Sequence, residues 1–130
     1  MRETASYEHD GLVISVARGA SDATISWSGE SDGRNPGDFI NPLMGRLVKS
    51  LSGLNVIIDF SRLAYMNSAT VAPLISCIKA FDAVSLSVLC VFSDMDWQRT
   101  HVQCVRAISR SLSKVRIDVK PMVATSKRPV

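Results

Sequence analysis

Two short apolar runs, each followed by an amphipathic segment, constrain this chain more than any other feature. Asn55–Phe60 (NVIIDF) places Val56, Ile57 and Ile58 together, and Ser85–Phe92 (SLSVLCVF) does the same with Val88, Leu89, Cys90 and Val91. Such runs fit central strands buried on both faces of a sheet. After the first, Val71, Leu74, Ile75, Ile78 and Phe81 recur at the spacing of a core-facing helical stripe. After the second, Trp97, Val102, Val105 and Ile108, with Leu112 beyond, predict a helix from about Trp97 to Arg110. Strands alternating with helices imply a mostly parallel sheet with right-handed crossovers.

The flanking segments complete the order. Gly11–Arg18 (GLVISVAR) alternates Leu12, Ile14 and Val16 against Val13 and Ser15, and Ala23–Ser28 (ATISWS) sets Ile25 and Trp27 on one face. Together they predict an antiparallel hairpin closed by a turn at Gly19–Asp22. Gly29–Gly37 (GESDGRNPG) is a loop by composition. A helix is expected between Asp38 and Leu51, where Phe39, Leu43, Leu47 and Leu51 recur with Ile40 and Met44 beside them. Pro42 fits its first position, Asn41 its cap and Gly53 its stop. Val115–Val119 alternates as a last strand. The expected order is β-β-α-β-α-β-α-β, an α/β fold with an antiparallel hairpin at one edge. It occupies residues 11–120, between a flexible leader (1–10) and a flexible tail (121–130).

Composition limits the function classes. At 130 residues, 46% hydrophobic and 21% charged, the chain suits one globular domain that folds without metal or disulfide. A net charge of +3 is too small to argue for nucleic acid without clustering. The cysteines, Cys77, Cys90 and Cys104, are odd in number, and each falls in an expected helix or strand. Reduced, buried thiols in a cytoplasmic protein are the expectation. Met1–Asp10 is polar, unlike a signal peptide, and no apolar run approaches the roughly 20 residues that span a bilayer.

Between the first strand and its helix lie Asn67, Ser68 and Thr70. Hydroxyls and an amide bunched at a helix start can cap free backbone N–H groups, a contribution of about 0.5–2 kcal/mol. With Thr70 as cap, Pro73 is the third helical residue, where its missing N–H is harmless. With Asn67 or Ser68 as cap, Pro73 falls in the second turn and distorts it. The same place suits a phosphate, bound or covalently attached. It also suits recognition by a partner. Asp94 and Asp96 are candidate caps for the third helix, and Trp97-Gln98-Arg99 marks its start.

The element order and the Asn55–Phe81 segment resemble the STAS domain, the fold of bacterial anti-sigma-factor antagonists and of the cytoplasmic tails of sulfate transporters. The resemblance covers roughly Gly11 to Val119. In that family a buried strand ends in Asp-Leu-Ser or similar, and a motif close to Asp-Ser-Ser-Gly-Leu opens the next helix. Here the two positions read Asp59-Phe60-Ser61 and Asn67-Ser68-Ala69-Thr70-Val71. Asn67 stands where the family has Asp, Ala69 where it has the phosphorylated Ser, and Thr70 where it has Gly. The resemblance therefore implies a divergent bacterial branch in which the usual phospho-acceptor is replaced, with Ser68 and Thr70 as its neighbours. It implies a non-enzymatic partner-switching module in signalling or transcription regulation, binding a serine-kinase-type anti-sigma factor or a similar regulator. The expected surface is Asn67, Ser68, Ala69, Thr70 and Ala72 with Asp94, Asp96 and Trp97 of the neighbouring loop. No cofactor, metal, nucleic acid or membrane is expected, and weak homodimerisation stays open. The alternative is a small-ligand or nucleotide sensor that uses the helix start near Ser68–Thr70 as an anion site.

Other chemistry is thinly supported. His101 and Cys104 share a helix face, but structural zinc wants paired ligands that the sequence lacks. Arg99, Arg106 and Arg110 form one helical stripe, which reads as a solvated face or as a dock for an acidic partner or RNA, though no interleaved aromatic platform accompanies it. No phosphate-binding glycine loop and no nucleophile elbow occur.

Overall fold

The computed structural model describes residues 3–120, apart from the side chains of Asp96, Trp97 and Thr100. It is an α/β fold with a six-stranded mixed sheet and three helices. The strands are β1 (Glu3–His9), β2 (Leu12–Arg18), β3 (Asp22–Ser31), β4 (Asn55–Met66), β5 (Ser87–Ser93) and β6 (Val115–Lys120). The helices are α1 (Gly37–Ser50), α2 (Val71–Val84) and α3 (Asp96–Ser109), with a 3-10 turn at Ser68–Thr70 before α2. Strand order in the sheet equals chain order, β1 and β2 being antiparallel to their successors and the rest parallel.

Three successive right-handed crossovers that step the same way put all three helices on one face. Burial agrees. Leu12, Ile14 and Val16 of β2, Ala23, Ile25 and Trp27 of β3, Val56, Ile58 and Phe60 of β4, and Val88, Cys90 and Phe92 of β5 are buried. Val13, Ser15, Thr24, Ser26, Ile57 and Asp59, which alternate with them, are only half buried. The helices meet that face through Ile40, Leu43, Met44 and Leu47, through Leu74, Cys77, Ile78 and Phe81, and through Val102 and Val105. Trp27 and Phe60 meet edge-on at 5.0 Å, and Phe60 stacks on Phe92 at 5.0 Å, so an aromatic row ties β3, β4 and β5 together. Truncating Phe60 would cost about 3–5 kcal/mol.

Residues 3–9, expected as a flexible leader, are instead strand β1, paired with β2 from Glu3↔Arg18 to His9↔Leu12. The strand lacks an apolar alternation because it is a sheet edge with only Tyr7 half buried. Asp10 and Gly11 close the hairpin with φ of 50° and 88°, the double left-handed geometry of a two-residue turn. The expected tail, 121–130, lies outside the described residues.

Helix α1 starts earlier than expected. Pro36, at φ −60°, precedes it, and the N–H of Ile40 bonds the Pro36 carbonyl at 2.9 Å. Pro42 therefore sits inside the helix, and Asn41 is not its cap. An early start lets Ile40, fully buried, join the core. Strand β4 is longer than expected and runs past Ser61 to Met66. Its pairing with β5 stops at Asp59↔Val91, while its pairing with β3 continues through register shifts after Ser26 and Gly29. Asp59-Phe60-Ser61 thus marks where two ladders part, not where the strand ends. Asp59 Oδ1 accepts from the Ser61 N–H at 2.8 Å and from Ser61 Oγ at 2.6 Å, which holds the bend.

Candidate functional site

Strand β4 carries its last residues beyond β5 and delivers the Asn67–Thr70 turn beside the end of β3. The backbone N–H of Asn67 donates to the Ser31 carbonyl at 2.8 Å, and its side-chain Nδ2 donates to the Gly33 carbonyl at 2.8 Å. Its Oδ1 accepts from Thr70 Oγ1 at 2.9 Å. Thr70 Oγ1 lies 2.6 Å from Ser31 Oγ, so a Ser31 proton to Thr70 and a Thr70 proton to Asn67 complete one directional chain. Thr70 is fully buried and Ser31 nearly so. The turn is therefore pinned from below, with Ser68, Ala69 and Ala72 exposed above the pin.

This arrangement sorts the expected site residues. Thr70 precedes α2 and Pro73 is its third residue, as one of the two readings has it. No side-chain oxygen caps the helix, because the Asn67 and Thr70 side chains are spent on the pin. Burial removes Thr70 from the residues a kinase or partner can touch. Asn67 has a task that an Asp at this position could not do, since a carboxylate has no N–H for the Gly33 carbonyl. Some of the backbone donors at the helix start are already used. The Val71 N–H is bonded to the Ser68 carbonyl, the Thr70 N–H to the Asn67 carbonyl, and Pro73 has none.

The second expected surface begins where β5 ends. Met95, not Asp94 or Asp96, precedes α3, and Asp96 is its first residue. Asp94 instead accepts from Arg99 Nε at 2.6 Å, both side chains being about half exposed. The side chains of Asp96 and Trp97 are outside the described residues. Because β4 overshoots β5, the neighbours of the Asn67–Thr70 turn are the loop after β3 and the start of α1. A Cβ on Gly37 would lie 3.4 Å from Pro73 Cγ. Sequence reasoning missed Ser31 and Gly33, which look like ordinary loop residues.

It also missed the role of Gln98, flagged only as part of a helix start. Gln98 is fully buried. Its Oε1 accepts from the Ser93 N–H at 2.7 Å, and its Nε2 donates to the Phe60 and Leu63 carbonyls at 3.2 and 3.1 Å. Those carbonyls lie past the last β4–β5 pair, where β4 has no ladder partner on the β5 side. One amide from α3 thus plugs the gap between the two strands.

The thiols divide by burial. Burial pushes the Cys90 thiol up to about 12, and burial, aided by Cys90, also raises Cys77. Cys77 Sγ lies 3.3 Å from Met44 Sδ, inside the contact between α1 and α2. Cys104 is exposed, against the expectation of three buried thiols. His101 is half buried, and loss of solvent lowers its pKa. Among the described residues no group of three His, Cys, Asp or Glu side chains is placed to hold a metal ion, and no helix is long and apolar enough to cross a membrane. No protein-family model matches the sequence, and no curated protein matches it significantly.

Proposed function

We propose that this chain is a non-enzymatic protein-interaction module resembling the STAS-type anti-sigma-factor antagonists. In this reading it acts in the bacterial cytoplasm by binding a kinase-type anti-sigma factor or a similar regulator, in signalling or transcription control. The observation that supports it most is the exposed Ser68–Ala69 step seated on a buried hydrogen-bonded pin. A surface turn held this firmly keeps one shape before a partner arrives, which lowers the ordering cost of binding. Ala69 and Ala72 supply small apolar contacts, and Ser68 is the hydroxyl left open to modification. A phosphate there would add about −1.5 to −2 charges at an otherwise neutral contact and oppose an apolar partner surface.

The test is an affinity pull-down from the native cell with mass spectrometry of partners and phosphosites, comparing the wild type with Ser68→Glu and Ala72→Glu. Both positions are exposed, so both variants should keep the wild-type circular dichroism spectrum and lose the principal partner. Recovery of the same partners with either variant would show that this surface is not the interface.

A further inference from the structure

We propose that the concave pocket between the β1–β2 turn and the loop leading into α1 binds a small organic cation with a flat apolar body. The pocket encloses about 470 Å³, within the range of small-molecule sites. Three carboxylates, Asp10, Asp32 and Asp38, border it against one guanidinium, Arg34; Asp10 Oδ2 already lies 3.3 Å from His9 Nε2, which leaves Asp32 and Asp38 as carboxylates with no such partner at the lining among the described residues. His9 and Phe39 form an aromatic wall, their rings stacked at 5.3 Å with 24° between planes. The Phe39 ring is the face of this pair that attracts a cation, and both rings pack against a flat apolar body. No three such carboxylates are placed to hold a metal ion among the described residues. An extended cation meets carboxylates at its charged end and the ring pair along its body, with Leu12 and Pro36 as further apolar lining.

The pocket is also joined to the turn described above. Gly33 and Ser31 belong to its wall, and they are the partners of Asn67 and Thr70 in the pin. A ligand that draws on the 32–36 loop therefore reaches Ser68–Ala69 through two hydrogen bonds. This coupling rests on the reading of that turn as the partner surface; the binding itself does not.

The experiment is an amide-resolved NMR titration of the full chain with benzamidine, and with benzoate as a control of the same shape and opposite charge. Benzamidine should move the Gly11, Gly33, Arg34 and Asn35 amides saturably, with Ser68 and Ala69 moving in step, and benzoate should not. The double variant Asp10→Asn/Asp32→Asn, at two exposed positions, should weaken binding on the order of tenfold or more, and Asp118→Asn on β6 should leave it unchanged. No response to benzamidine, an equal response to benzoate, or undiminished binding by the double variant overturns the proposal. Should that variant fold poorly, the benzamidine–benzoate contrast on the wild type decides. Pocket shifts without movement at Ser68 and Ala69 overturn the coupling and leave the site standing. Retained partners in Ser68→Glu overturn the partner surface and leave the pocket standing.

Discussion

Replacing Gln98 with Leu tests the account of how β4 and β5 are held where they separate. Leucine keeps most of the volume and removes the amide. Three backbone groups, the Ser93 N–H and the Phe60 and Leu63 carbonyls, then lose their partner in a fully buried place. An unsatisfied buried group costs about 1–3 kcal/mol, and a carbonyl that relaxes toward another donor falls at the low end. The sum is about 3–5 kcal/mol, a large share of the roughly 5–15 kcal/mol that holds a domain together. For a urea m-value near 2 kcal/mol per molar, the midpoint should fall by about 1.5–2.5 M with the slope unchanged. Gln103→Ala, on the exposed side of the same helix, should change stability by no more than about 0.5 kcal/mol. Gln98→Glu sharpens the test. A carboxylate there accepts from the Ser93 N–H but faces two carbonyl oxygens, so burial raises its pKa in the folded state. The variant should gain stability as pH falls through that raised value and level off below the ordinary glutamate range. If Gln98→Leu unfolds within about 1 kcal/mol of the wild type, the amide does not hold the gap.

Three further outcomes are expected. Asn67→Asp turns a donor to the Gly33 carbonyl into a carboxylate, and should lower stability by about 1–3 kcal/mol in urea while Ser68→Ala stays near zero. With an aromatic disulfide reagent, Cys104 should react rapidly in the native protein and all three thiols only in denaturant, since burial keeps Cys77 and Cys90 protonated; fast labelling of Cys77 or Cys90 under native conditions would contradict the packing. Because the His101 pKa is lowered by burial, the unfolded chain takes up its proton first on acidification. Stability should fall as pH drops below about 6.5 and stop falling once the depressed value is passed, and His101→Gln should flatten that part of the curve.

How much of this was legible beforehand depended on whether a residue's neighbours lie close in sequence. The strand–helix alternation, the β2–β3 hairpin and the apolar faces of α1 and α2 follow from local periodicity, and the core residues Leu43, Leu74 and Phe81 were placed by spacing alone. Strand β1 was missed because an edge strand that half-buries only Tyr7 needs no apolar pattern; the available sign was Asp10-Gly11, a strong two-residue hairpin signal. The start of α1 was misplaced because Asn41 was given the cap position that Pro36 fills and Pro42 the first helical position that Gly37 fills; the earlier start brings Ile40 into the core. The length of β4 was hidden because its outer half pairs with β3 alone, and Arg62, Ala64 and Tyr65 are exposed. In the candidate site, Asn67–Thr70 stood out by composition. Its partners Ser31 and Gly33 did not, because a bond across more than thirty positions leaves no local trace.

The agreement of sheet order with chain order has a practical consequence for anyone attaching labels to this protein. Strand β1 runs parallel to β3 and β4, so Glu3 lies at the end of the sheet opposite the Ser68–Ala69 step, and β6 finishes at the same end as that step. Five strand spacings of roughly 4.8 Å also set the two margins about 24 Å apart. An affinity handle attached at Glu3 therefore leaves the outer surface of the turn clear, whereas one attached at Lys120 projects from the same rim and competes for its space. A dye pair placed on Glu3 and Lys120 would straddle the whole width of the sheet and report its integrity in a single distance.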